Sequence, residues 1–180
     1  TNAKPDFYGI VLSSTPNIST FCAGYSPAPE KVMDLEAMSG YSGTAVGSDF
    51  YYMDYAVNSS GSITAVNWRK VDMDSKTVTA SIPQQYAIGV CMDMTYDVTT
   101  STVYGISAVS DVLVSINTTT GEATPVAQTL PFYTISADAA GQLYGIALDS
   151  ETRQGVLYSV NKVTGSALKI GSTGVRMLTD

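Results

Sequence analysis

The chain contains no histidine, two cysteines and one tryptophan, and Lys plus Arg total 9 of its 180 residues. Each scarcity removes a class of chemistry. Without histidine the sequence lacks the usual general base near neutral pH, the Ser-His or Cys-His nucleophile pair, and the commonest metal ligand. Two separated cysteines cannot close a tetrahedral zinc site, so no metal, no cofactor and no catalytic residue are expected. Nine cations against 16 carboxylates give a net charge of -7 and a pI near 4.3. Nucleic acid demands a basic face that releases counterions, so no nucleic-acid partner is expected. No apolar run approaches the length of about 18 residues needed to cross a bilayer, and no membrane insertion is expected within this segment. The opening Thr1-Asn2-Ala3-Lys4 is neither an initiator Met nor a charged-then-apolar signal, and reads as a processed or excised start.

A hydrophobic fraction of 44% with 14% charge supports a folded domain with a sizeable core. Abundant Ser, Thr, Asn, Gly and Tyr with few charges matches the profile of extracellular, cell-surface or periplasmic β-proteins. Cys22 and Cys91 fall in different repeats and in non-equivalent strands, so they read as two buried thiols and not as a bridge, which needs Cα atoms within about 7 Å. Asn17-Ile18-Ser19, Asn58-Ser59-Ser60 and Asn117-Thr118-Thr119 match the glycosylation acceptor pattern but read first as turn residues.

What is present is a repeat. Val103-Tyr104-Gly105-Ile106 returns as Leu143-Tyr144-Gly145-Ile146, with Phe7-Tyr8-Gly9-Ile10 upstream and a degenerate Phe50-Tyr51-Tyr52-Met53 between. Short β runs recurring at roughly 40 to 50 residues mean stacked sheets or propeller blades, each burying its apolar face against its neighbours. The clearest unit spans 130–174. Its four runs, Phe132–Ala137, Gln142–Ala147, Gly155–Asn161 and Ser166–Gly171, mix β-branched, aromatic and small residues and end at Gly, Asn or Asp, the residues of tight hairpins. The unit 84–129 repeats it, with Ala87–Met92 read as its first strand. The two Thr-Gly turns place Gly121 and Gly165 44 residues apart. The unit 41–83 is more diverged, and 1–40 lacks a first strand. Residues 29–38 have a helix as the rival reading, but Glu30 precedes Tyr41 by the same 11 residues that separate Glu122 from Tyr133, which favours an outer strand. Residues 175–180 match Tyr133–Asp138 in position and read as the first strand of the next or closing blade.

The Tyr-Gly-Ile second strand, the third strand ending in Val-Asn or Ile-Asn, and the Thr-Gly turn resemble the blade repeats of secreted and cell-envelope bacterial β-propeller proteins. The resemblance covers essentially the whole chain. It implies an all-β propeller of about four four-stranded antiparallel blades, either a small closed ring or an arc or half of a larger one. It carries over no catalytic motif, because propellers host many functions.

Three groups of residues invite chemistry. Asp93 with Asp97, and Asp149 with Glu151, are the carboxylate pairs that a glycan hydrolase or lyase would use, though spacing alone cannot place them at a catalytic separation and turn caps and solvated loop charges are the favoured reading. Asp72-Met73-Asp74-Ser75 is only a fragment of a calcium loop, and Gly141-Gln142-Leu143-Tyr144-Gly145 sits on a hairpin and opens no helix that could cradle a phosphate. The sharper feature is positional. Tyr41, Tyr86 and Tyr133 recur at intervals of 45 and 47, and Arg176 follows after 43. In a propeller such positions gather at one mouth of the axial channel, where Gln84, Gln85 and Phe132 would join them to hold a sugar or a peptide side chain. The competing reading makes these tyrosines interblade packing. The expected function is therefore a non-enzymatic interaction module for a protein or carbohydrate partner, with self-association through open strand edges. A structural spacer and a carboxylate-based glycan enzyme are the alternatives.

Overall fold

From residue 40 onward each described hairpin is closed by a residue in the left-handed region, and these residues punctuate the sequence into strands. In a computed structural model, which describes residues 7–21, 30–84 and 90–176, the turn between first and second strands carries Gly47, Ser101 or Gly141, and that between third and fourth carries Lys76, Gly121 or Gly165. Between second and third strands, Gly61, Asp111 and Arg153 play this part. Side-chain oxygens fasten the same turns. Asn117 Oδ1 accepts the amides of Thr119 and Thr120, and Asn161 Oδ1 those of Val163 and Thr164.

The result is a β-propeller of four antiparallel blades, with no helix among the described residues. The chain divides into two compact units, 1–84 and 85–180. Unit 1 holds blade 1, with strands β1 (Phe7–Val11), β2 (Asn17–Phe21) and β3 (Glu30–Asp34). It also holds blade 2, with β4 (Gly40–Val46), β5 (Asp49–Val57), β6 (Ile63–Asp72) and β7 (Thr77–Pro83). Unit 2 holds blade 3, with β8 (Cys91–Asp97), β9 (Thr102–Ser107), β10 (Val112–Ile116) and β11 (Ala123–Gln128). Its second sheet, blade 4, has β12 (Phe132–Ala137), β13 (Leu143–Leu148), β14 (Gln154–Val160) and β15 (Ala167–Arg176). In every sheet the strands lie in chain order, so each blade is a simple meander.

Two boundaries differ from the sequence reading. The first strand of blade 3, read as Ala87–Met92, runs on to Asp97, which pairs across to Thr102 and closes the following turn, whereas residues 85–89 lie outside the described residues. At the other terminus, Val175 and Arg176 do not begin a new first strand. They continue β15, where Arg176 pairs with Gln154, and a bulge after Gln154 absorbs the extra residues. Residues 177–180 lie outside the described residues, as does Cys22. The segment 30–34 is a strand, as its register with Glu122 suggested.

The Tyr-Gly-Ile signature has a steric origin. A Cβ on Gly145 would lie 2.7 Å from both Cγ and Cδ1 of Phe132, whose ring covers the glycine, and a Cβ on Gly105 would lie 2.6 Å from the sulfur of Cys91. The first-strand residue thus occupies the space that a second-strand side chain would need. Blade 2 inverts the arrangement, with Gly43 on its first strand under the ring of Phe50 on its second. In unit 2, Tyr104, Ile106 and Leu113 of blade 3 and Phe132, Ile135, Leu143, Ala147 and Val160 of blade 4 form one buried cluster. In unit 1, Ile18 of blade 1 joins Phe50, Tyr52 and Val71 of blade 2 in another. Trp68 is fully buried and stacks on Tyr51.

Candidate functional site

In a four-strand meander the start of the first strand and the loop between second and third strands share one end of the blade. The other two hairpins share the opposite end. At the first of these ends, blades 3 and 4 carry the same irregularity. β8 skips from the pair Cys91↔Ser107 to Asp93↔Ile106, and β12 from Phe132↔Ala147 to Thr134↔Ile146. The extra residues are Met92 and Tyr133. A bulge leaves its additional residue out of the ladder and re-aims its side chain. Both residues are accordingly exposed, at 42% and 38%. Leu130, beside Tyr133 in the chain, and Val109, in the β9–β10 loop at the same end of blade 3, are exposed as well.

The register thereby revises the sequence equivalences. Tyr133 corresponds to Met92 and Phe132 to Cys91, so the recurrence of tyrosine at 45 and 47 residues does not mark one structural position in unit 2. Phe132 is 2% exposed and packs edge-on against Tyr158, so it belongs to the core and presents nothing to a ligand. Arg176 ends the outermost strand of the blade whose innermost strand carries Tyr133, three strand spacings or about 14 Å away across the sheet. Tyr41, in unit 1, is half-buried. Its hydroxyl takes the amide of Met38 at 2.8 Å and donates to the carbonyl of Glu36, tying down the segment before β4. Burial raises its pKa. Gln84 is engaged locally, its amide on the carbonyl of Val66 and its side chain on that of Ile82. Gln85 and Tyr86 lie outside the described residues. Met92 escaped sequence reasoning because only the bulge register reveals it, though the non-alternating Cys91-Met92-Asp93-Met94 was a usable hint.

The carboxylates flagged in the sequence are occupied by the fold. Asp149 Oδ1 accepts the amides of Glu151 and Thr152, and Asp72 Oδ1 that of Ser75; these turn bonds lower both pKa values. Asp93 spans the boundary between blades 3 and 4, its Oδ2 accepting Thr134 Oγ1 at 2.6 Å and the amide of Ile135 at 3.0 Å. Burial raises its pKa despite those bonds. Asp97 has no exposed surface. Burial pushes its carboxyl up, but Lys162 Nζ at 2.5 Å and the hydroxyls of Thr99 and Thr100 together hold it well below the usual carboxylate range. In unit 1 the buried Asp54 accepts Arg69 Nε at 2.5 Å and Asn67 Nδ2 at 2.7 Å, and Arg69 also reaches Glu36 at 2.7 Å. Burial lifts the neighbouring Tyr52 to about 12. No group of three or more metal-ligating side chains occurs among the described residues.

Cys91 is buried over Gly105, and burial, reinforced by the Asp93 charge, pushes its thiol up to about 12. The thiolate is the reactive form, so the native thiol is expected to be inert. Alkylation followed by peptide mass mapping should label the Cys91 peptide only after unfolding; labelling at the native rate of a model thiol would contradict the packing described.

No family model matches the chain, and no curated protein matches it. Solved structures do. A crystal structure of TolB from Acinetobacter baumannii superposes on 93% of this chain and 41% of its own, with a TM-score of 0.56 at 11% identity. A nidogen/laminin complex aligns over 93% of this chain and 62% of the other (TM-score 0.65, 8% identity). A luciferin-regenerating enzyme aligns over 96% and 63% (TM-score 0.55, 13% identity). The chain thus spans between two fifths and two thirds of these structures, and the likeness is one of fold.

Proposed function

We propose that the chain is a non-enzymatic binding module, acting outside the cytoplasm, that engages a partner protein through the bulge end of blades 3 and 4. The observation that carries this reading is the repeated bulge, which brings Met92 and Tyr133 out of two successive inner strands. Leu130 and Val109 extend the same apolar and aromatic character at that end. Aromatic and Met side chains on a rigid scaffold are the usual anchors of protein interfaces. The occupied state of Asp93, Asp97 and Asp149 favours binding over a carboxylate-based hydrolase or lyase. The low-charge, Ser- and Thr-rich composition supports a secreted or periplasmic setting, and one fold neighbour, the nidogen/laminin complex, is itself an assembly of proteins.

A photoreactive residue placed at position 133 tests the reading, with the same residue at Val163, on the opposite end of blade 4, as control. Capture of a partner from position 133 alone, lost in Met92→Ser, is expected. Equal capture from both positions overturns the assignment of the surface. Release of oligosaccharides from a polysaccharide panel overturns the non-enzymatic reading. Tyr133-dependent binding on a glycan array would transfer the same surface to a carbohydrate.

A further inference from the structure

The two bulges that expose Met92 and Tyr133 are fastened to each other through one carboxylate. Asp93 directly follows Met92 in β8, and Thr134 and Ile135 directly follow Tyr133 in β12. Asp93 Oδ2 accepts Thr134 Oγ1 at 2.6 Å and the amide of Ile135 at 3.0 Å, while Oδ1 accepts the amide of Met94 at 2.9 Å on its own strand. This half-buried side chain thus holds the backbone that follows both bulges at once. Two residues further along β8, Thr95 Oγ1 accepts the amide of Ala137 at 2.9 Å, a second tie between the same strands that touches neither bulge. A bulge turns its extra side chain out of the ladder, but it does not set how that side chain sits relative to one on another sheet. In unit 2 that relation passes through Asp93.

We infer that Asp93 is a positioning residue for the binding surface proposed above, coupling the two bulges so that Met92 and Tyr133 are presented together only while its carboxylate is ionised. The inference rests on that reading of the surface and adds its regulation by pH. An ionised carboxylate makes hydrogen bonds about twice as strong as a neutral acceptor does, and a protonated carboxyl keeps only part of its acceptor capacity. Protonation therefore slackens the tie to Thr134 and Ile135 and leaves the Thr95 tie in place. Burial raises the pKa of Asp93, so the change falls above the ordinary aspartate range. Among the described residues of unit 2, the other titratable groups on β8 are the Cys91 thiol, pushed up to about 12, Tyr96, and Asp97, held low by Lys162. The strands packed against β8 add Tyr104 on β9 and Tyr133 on β12, and phenols as a class ionise in alkali. Asp93 is thus the group on these strands that changes charge in mild acid.

NMR of the whole chain with methyl-labelled methionine and ring-labelled tyrosine tests this, the two signals being assigned through Met92→Leu and Tyr133→Phe. Between roughly pH 7 and 4 both signals should move with one common midpoint above the ordinary aspartate range. Asp93→Asn should abolish the inflection and hold, at neutral pH, the positions that the native signals reach in acid. Thr134→Val should shift the midpoint to higher pH, because the lost hydroxyl favoured the ionised form, and Thr134→Ser should restore it. Thr95→Val should lower the melting temperature yet leave the midpoint alone, which separates positioning from stability. Different midpoints for the two signals, a Met92 signal that moves without Tyr133, or an inflection that survives Asp93→Asn overturns the inference. If Asp93→Asn fails to fold, a midpoint unmoved by Thr134→Val overturns it instead. These measurements contain no partner, so they fail separately from the binding reading, which falls on equal capture from positions 133 and 163.

Discussion

Gly145→Ala should destabilise the chain by about 2 to 4 kcal/mol, lowering the melting temperature by roughly 5 to 12 °C. Nothing about the glycine's backbone requires this; the cost is one of space. The added methyl would sit 2.7 Å from Phe132 Cγ and Cδ1, and that ring is held edge-on by Tyr158 at 5.8 Å and enclosed in the unit 2 cluster. Interiors are packed tightly enough that such a clash moves side chains or backbone. Urea unfolding checks the loss. Phe132→Leu in the same chain should recover part of it, since a smaller first-strand residue vacates the space above position 145. A purely additive double variant would show that the ring and the glycine do not compete.

Lys162→Met should cost a comparable 2 to 4 kcal/mol at neutral pH, discounted from the full penalty of an orphaned buried charge because Lys162 is itself 28% exposed. Asp97 would retain Thr99 and Thr100 but lose the cation that most favours its ionised form. The pH dependence follows from the sign of the shift. In the native chain the folded pKa of Asp97 lies below its unfolded value of about 3.9, so its stabilisation is fully present above that pH and fades as pH falls toward the folded pKa. In the variant the burial of Asp97 is less opposed, its folded pKa rises, and protonation relieves the buried charge. The stability gap between the two proteins should therefore narrow as the medium is acidified from pH 7 to pH 3, measured by denaturant midpoints. A gap constant with pH would mean that Lys162 acts through packing alone. Asp93 has the opposite sign: its raised pKa makes the ionised carboxyl a cost that acid removes.

The blade pattern was legible because hairpin chemistry is local. Asn117 to Gly121 and Asn161 to Gly165 announce their turns by residue type, and strands of alternating pattern such as β13 lie between such signals. Register across the ladder was not legible. One extra residue in β8 and one in β12 move Met92 and Tyr133 outward and Cys91 and Phe132 inward, and no spacing rule distinguishes Phe132 from Tyr133 before the bulge is known. The reading of Arg176 failed for a related reason. A repeat count assumes constant strand length, whereas β15 runs on past Gly171 and Gly174 through a bulge. The reading of the carboxylates as turn caps or solvated charges fits Asp149, which caps its own turn, but the half-buried Asp93 and the buried Asp97 bind Thr134 and Lys162, 41 and 65 residues away and beyond any local motif.

The seam between blades 3 and 4 has one more consequence. The inner strand β12 has β13 on only one side, yet its amides at Ile135 and Ala137 are claimed from the other side by Asp93 and by Thr95 Oγ1 at 2.9 Å. Peeling blade 4 away would strand those amides and the Asp93 charge together, so the two sheets should open as a single cooperative block. Amide exchange at Ile135 and Ala137 would then report the melting of the pair and not the fraying of a strand.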